Sequence, residues 1–355
     1  MARSPALLCL MLPLTMACDD SKPAQSLLGE DFGLTDDSGG SGADTDTGTP
    51  ADTDTDSGSA GDSDSDTDSG PLAYDCSALP DFNQGDTTLS GARAYHGLTW
   101  DTEGHLVGYD GSNSLVKSSY DGTNSLYVPG VHSVEQLDRL PGGDIVLYES
   151  STGSLERYTA EGGSTVIASG IPAAYGVTVG PDGKVWVANG GVTRFDPDTG
   201  EREVVLSPPM DWTAHSLAFN LDSTVLYIGT VSGPLRSLAL DEDLNAAAEP
   251  EIVADVGSGW HDGIAVDACG NLYVASYFSL SLFRVGTDGT VTEMVHGGAA
   301  PVYGHGAVWG SGEGGWRDDA IYQPQPYGGA TVREVVIGLP SGSTVRTWKG
   351  ELVGR

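Results

Sequence analysis

Six polar residues recur along this chain at a spacing of about 40: His96, Glu135, Tyr175, His215, Asp262 and His305. Three of them are histidines, from a chain that has only seven. Imidazoles and carboxylates brought round one point make the ligand set that zinc, manganese or iron prefers, and they can also carry protons. The ligand candidates are His96, His215, Asp262 and His305. Glu135, Tyr175 and His261, at or beside the same recurring position, are the candidates for acid/base work. Two plainer readings stay open: a polar channel that only holds water, and a packing histidine copied with each repeat. Nothing in the repeats forms a serine-nucleophile elbow or a phosphate-cradling glycine loop.

These residues open the repeats that must position them. His96-Gly-Leu-Thr-Trp, Tyr175-Gly-Val-Thr-Val, His215-Ser-Leu-Ala-Phe, Asp262-Gly-Ile-Ala-Val and His305-Gly-Ala-Val-Trp each begin a short alternating strand, and Glu135-Gln-Leu-Asp-Arg holds the equivalent place. Second strands follow at 106–109, 145–148, 185–188, 225–228, 272–275 and 320–322, third strands at 114–117, 154–157, 191–194, 234–237, 281–284 and 331–334. A fourth strand ends most repeats. No helical period interrupts them. Six units of four antiparallel strands predict an all-β, six-bladed β-propeller. In such a ring the first residue of each innermost strand stands at the mouth of the central channel. Closure needs one more strand, and two segments compete for it, 86–90 and 343–348. The first would bring Cys76 near Cys269, where a disulfide would staple the ring.

Charge excludes several partners. Of 355 residues, 50 are acidic and 16 basic, a formal net charge of −34. Residues 76–355 keep 34 acidic against 14 basic residues, so the repeat region is acidic in its own right. A phosphate-driven nucleic-acid binder or a basic membrane-docking face is therefore not expected. No apolar run reaches the 18 or so residues of a spanning helix.

Ahead of the propeller (76–355) lie two segments of other character. Residues 1–17 read as a signal peptide: Arg3, an apolar stretch of signal length, then Thr15-Met16-Ala17-Cys18, which resembles a bacterial lipoprotein processing box. Lipidation of Cys18 leaves Cys76 and Cys269 as an even pair once Cys9 departs with the signal. Residues 18–75 are dominated by Asp, Thr, Ser and Gly. They have nothing to bury and repel one another, so a disordered acidic tether is expected rather than a calcium loop. The resulting picture is a monomer in the bacterial cell envelope, lipid-anchored, facing periplasm or exterior, and touching membrane only through its anchor.

The run Asp262-Gly-Ile-Ala-Val-Asp-Ala-Cys-Gly-Asn-Leu-Tyr-Val-Ala resembles the blade-five signature of the gluconolactonase/regucalcin propellers. The likeness spans roughly residues 95–300 and is shared loosely with NHL-type propellers. In that family a divalent ion, often calcium, is held by a Glu opening blade one, an Asn opening blade four and the Asp opening blade five. Only the Asp is kept here, as Asp262; His96 and His215 stand at the other two positions. Two imidazoles in place of oxygen ligands favour a zinc-like ion over calcium, an arrangement also found in the amidating-lyase propeller. The resemblance implies a metal-dependent hydrolase, lactonase- or esterase-like, or a lyase, acting on a small or carbohydrate-derived molecule. The alternative is a non-catalytic propeller that binds a ligand or protein at the cell surface. Trp212, Trp260, Tyr303 and Trp309 fall near the expected mouth and suit a sugar or ring, or else blade packing.

Overall fold

A computed structural model describes residues 75–82, 85–132, 134–257, 259–277, 279, 281–294 and 304–342. The signal peptide, Cys18, the tether up to residue 74, Tyr303 and the segment 343–348 lie outside the described residues. Among the described residues, twenty-four strands form six four-stranded antiparallel sheets, the blades of a six-bladed β-propeller. Blade one comprises Leu98–Trp100, Leu106–Tyr109, Ser114–Ser118 and Asn124–Pro129. Blade two has Val134–Arg139, Ile145–Glu149, Ser154–Tyr158 and Ser164–Ala168. Innermost strands of blades three, four and five are Val177–Val179, Ala214–Phe219 and His261–Val266.

Blade six is built from both ends of the domain. Its strands Val308–Trp309, Ala320–Gln325 and Thr331–Val336 are completed on the outside by Gly85–Leu89, paired from Gly85↔Val336 to Leu89↔Val332. The earlier of the two competing segments thus closes the ring. Arg333 reinforces the junction with two hydrogen bonds to Asp86, from Nε at 2.7 Å and Nη2 at 2.5 Å. Cys76 and Cys269 form a disulfide that ties this same lead-in segment to the first hairpin turn of blade five.

The core is divided among the blade interfaces. Six apolar clusters each combine side chains of two neighbouring blades, such as Trp186 and Val192 of blade three with Phe219 and Leu226 of blade four. Inner strands are buried on both faces, which is why they read as near-continuous apolar runs: Ile145–Glu149 and Leu272–Ser276 are buried throughout. Outer strands, such as Arg202–Leu206, are largely exposed. Tryptophans carry polar links between blades: Trp100 Nε1 donates to the Trp309 carbonyl (2.7 Å) and Trp309 Nε1 to that of Val266 (2.8 Å). Trp309 and Trp212 are therefore packing residues, buried in blade-interface clusters.

Candidate active site on the propeller axis

Local backbone irregularity aims several axial side chains. In blades four and five the pairing of the first two strands slips by one residue between Ala214 and Ser216 and between His261 and Gly263. His215 and Asp262 are the extra residues of these bulges, a device that turns a side chain out of the regular alternation. Blade two is irregular between Val134 and Leu137, around Glu135. His96, Tyr175 and His305 instead lie just ahead of their strands. A glycine follows the axial residue in blades one, three, five and six, and close backbone packing explains three of these, Gly97, Gly176 and Gly263. A Cβ on Gly263 would lie 2.4 Å from the Ala307 nitrogen, and one on Gly97 would lie 2.9 Å from the Gln136 Cα.

The structure brings all six residues into one continuous arc. Glu135 Oε2 lies 3.1 Å from His96 Nδ1, and the His96 ring stacks on His305 at 4.8 Å. His305 Nδ1 is 3.0 Å from Asp262 Oδ2; Asp262 Oδ1 is 3.6 Å from His215 Nδ1. His215 in turn stacks on Tyr175 at 4.5 Å. Successive contacts run through blades two, one, six, five, four and three.

Hydrogen-bond chemistry assigns the imidazole protons. His215 Nδ1 faces two acceptors, the His261 carbonyl at 3.2 Å and Asp262. Burial holds His215 below its ordinary pKa, outweighing the pull of Asp262 and Glu135, so the ring is neutral with its proton on Nδ1. Its Nε2 then carries the lone pair. His96 and His305 likewise turn Nδ1 toward a carboxylate, the arrangement that orients an imidazole and raises the basicity of the other nitrogen.

His261 is the opposite case. It was expected beside the axis as an acid/base group, but it is fully buried behind the wall. Its Nδ1 accepts the Thr230 main-chain N–H at 3.1 Å, which puts the ring proton on Nε2 and uses up the lone pair. Burial, then the neighbouring His215, lowers its pKa to about 4. His132, near Glu135 in sequence, is exposed.

Three contributors were not visible in the repeat alignment. Gln136 donates from Nε2 to the main-chain carbonyl of Asp262. Tyr277 links Trp260 and His305, at 5.6 and 5.3 Å, and Tyr95 lies 4.6 Å from His96. Below the arc a cavity of about 600 Å³ runs along the innermost strands, lined by residues such as Thr99, Leu137, Thr178 and Ile264.

The donor set suits an imidazole-preferring ion better than calcium, which takes six to eight oxygens. Among the described residues, three potential ligand atoms lie within 4.8 Å of one another only at Asp101, Glu103 and His105. There Lys117 Nζ of the third strand sits 2.7 Å from Asp101 Oδ2 and 3.6 Å from Glu103 Oε2, so a cation already faces these carboxylates.

These features define a six-bladed β-propeller with a histidine–carboxylate cluster on its axis. No family model and no curated protein matches the sequence. Solved structures do. The chain is similar to a gluconolactonase from Xanthomonas campestris at 17% identity, covering 73% of this chain and 91% of that one, with a TM-score of 0.59. It is similar to the calcium-binding protein regucalcin from Agrobacterium tumefaciens at 15% identity, covering 74% and 96%, TM-score 0.58. A catalytically inactive virginiamycin B lyase from Staphylococcus aureus, with quinupristin, matches at 18% identity over 71% and 88%, TM-score 0.50. The resemblance read from the blade-five motif is thus found again in the fold.

Proposed function

We propose that the axial cluster is the active site of a lactonase-like hydrolase acting on a small or carbohydrate-derived molecule. The observation that carries this reading is the common orientation of His96, His215 and His305, each with Nδ1 turned to an acceptor. These three imidazoles, beside Asp262, are the ligands a zinc-like divalent ion would take, and they must draw together to share it, since no three ligand atoms of the arc lie within 4.8 Å of one another. When bound, such an ion polarises a carbonyl and lowers the pKa of water. Asp262 and Glu135 keep the imidazoles in register. Glu135 is the most open of the carboxylates on the axis, its side chain 26% exposed, and it takes a proton from water at the mouth. Tyr175, stacked against His215, orients the substrate. The gluconolactonase and lyase neighbours, similar in fold, support a small-molecule chemistry for this chain.

The remaining sequence expectations join this proposal. The protein works as a monomer in the bacterial cell envelope, anchored by a lipid on Cys18 at the end of its acidic tether and facing periplasm or exterior. A disulfide between Cys76 and Cys269 suits that oxidising compartment. Nucleic acid is not a partner.

Elemental analysis of the purified protein, beside a lactone panel followed by acid release, tests the site. One equivalent of metal is expected, lost together with turnover in His96→Ala and His215→Ala, while Glu135→Gln keeps metal and loses turnover. Metal-free protein with no hydrolysis would leave a binding propeller. A product formed without uptake of water would reassign the reaction to a lyase.

A further inference from the structure

The mouth above the axial arc is aromatic, and one of its rings is held there against its backbone preference. Trp260 has φ +47°, in the left-handed region that bulky residues avoid. Two main-chain hydrogen bonds hold it, from its own N–H to the Val231 carbonyl and from the Tyr277 N–H to its carbonyl, each 2.9 Å. The indole is thereby laid 5.7 Å from His215, 6.4 Å from Tyr175 and 5.6 Å from Tyr277. With Tyr95 beside His96, four large rings border the mouth, each partly open to solvent. Beneath them stand two carboxylates, Glu135 and Asp262.

From this geometry we propose that the ligand is a small organic ammonium ion, received by the faces of Trp260, Tyr277, Tyr175 and Tyr95 with Glu135 and Asp262 below. This rests on the axial mouth being the ligand site. Aromatic faces attract cations through the negative potential of the π system, most strongly for Trp and where water is displaced. The same rings would pack against a neutral sugar; the carboxylates and the acidity of residues 76–355, 34 acids against 14 bases, select the cation. A field of that sign concentrates cations at the mouth and repels sugar acids.

The test is a pair of titrations of the mature protein, followed by tryptophan fluorescence and by calorimetry, with choline and with its neutral isostere 3,3-dimethylbutan-1-ol. Choline should saturate the site and bind about ten-fold more tightly than the alcohol. Trp260→Ala and, separately, Tyr277→Ala should each weaken choline about ten-fold, and Trp260→Phe should retain most of the binding. Equal affinity for the two probes, no saturation by choline, or choline binding untouched by both alanine variants would each overturn the assignment. A protein that hydrolyses neutral lactones through His96 and His215 yet ignores choline refutes this inference alone. Choline binding by a metal-free, inactive protein refutes only the hydrolase.

Discussion

Gln136 of blade two reaches the main-chain carbonyl of Asp262 in blade five, the blade diametrically opposite in a ring of six. This single amide spans the axis. It fixes the backbone that carries the carboxylate between His215 and His305, so it couples the width of the ring to the geometry of the site.

Replacing Gln136 with Met keeps bulk but removes the donor. Loss of one such hydrogen bond costs about 1 kcal/mol of stability. The loss should fall more heavily on the site, as weakened metal retention or turnover at nearly unchanged melting temperature. A variant with wild-type site properties would show that the brace has no functional weight.

The Cys76–Cys269 disulfide joins positions 193 residues apart and so closes a long loop. On the chain-entropy account, removing a cross-link over so long a loop costs about 5 kcal/mol. Reduction, or Cys76→Ser, should lower the thermal midpoint by many degrees and release the strand Gly85–Leu89 first. Hydrogen exchange along that strand is the direct measurement, and unchanged protection there would count against the stapling role.

Burial holds His261 at a pKa of about 4, below its ordinary 6.5. The unfolded chain therefore binds a proton first as pH falls, and stability present above 6.5 is lost progressively between 6.5 and 4. That shift corresponds to about 3 kcal/mol. His215, shifted the same way, adds to the loss. His261→Gln, which offers Oε1 to the Thr230 N–H, should flatten the urea-midpoint profile across this window. An equally steep profile in the variant would assign the acid sensitivity elsewhere.

Gly263 lies where a Cβ would meet Gly306 and Ala307 of the next blade at 2.4 Å, all of it backbone. Gly263→Ala must push blades five and six apart, at a cost of about 2 kcal/mol. His305 Nδ1 and Asp262 Oδ2 sit on the two sides of that contact, 3.0 Å apart, so this polar contact should open as well. The imidazole resonances of His305 would report this; an unshifted spectrum with normal stability would contradict the packing argument.

The blades were legible because each is a local hairpin series whose inner strands are buried on both faces. Runs such as Val185–Ala188 mark themselves, and the turns between them are short. Blade four departs from the pattern at its first turn, where Ser223 takes the left-handed conformation (φ +61°) that Gly104, Gly143, Gly183 and Gly270 supply elsewhere. The turn is also one residue longer there: Phe219 pairs with Leu226, seven positions on, where Val266 pairs with Leu272, six positions on, so the fourth repeat carries one extra residue.

Alignment of the repeats also located the axial residues, since position within a strand follows from local pattern alone. It placed His215 and Asp262 on the axis and His261 beside it, but could not show that His261 is fully buried with Nδ1 accepting the Thr230 N–H, because that contact joins two blades. Nor could it find Tyr277, which enters from a second strand's end, or Gln136, whose partner lies 126 residues away. Local burial and repeat spacing were enough to write the list of blades and of axial positions. Which strand closes the ring, which acceptor each axial histidine turns its Nδ1 toward and which rings border the mouth depend on contacts between segments far apart in sequence, and those exist only once six blades have met around a common axis.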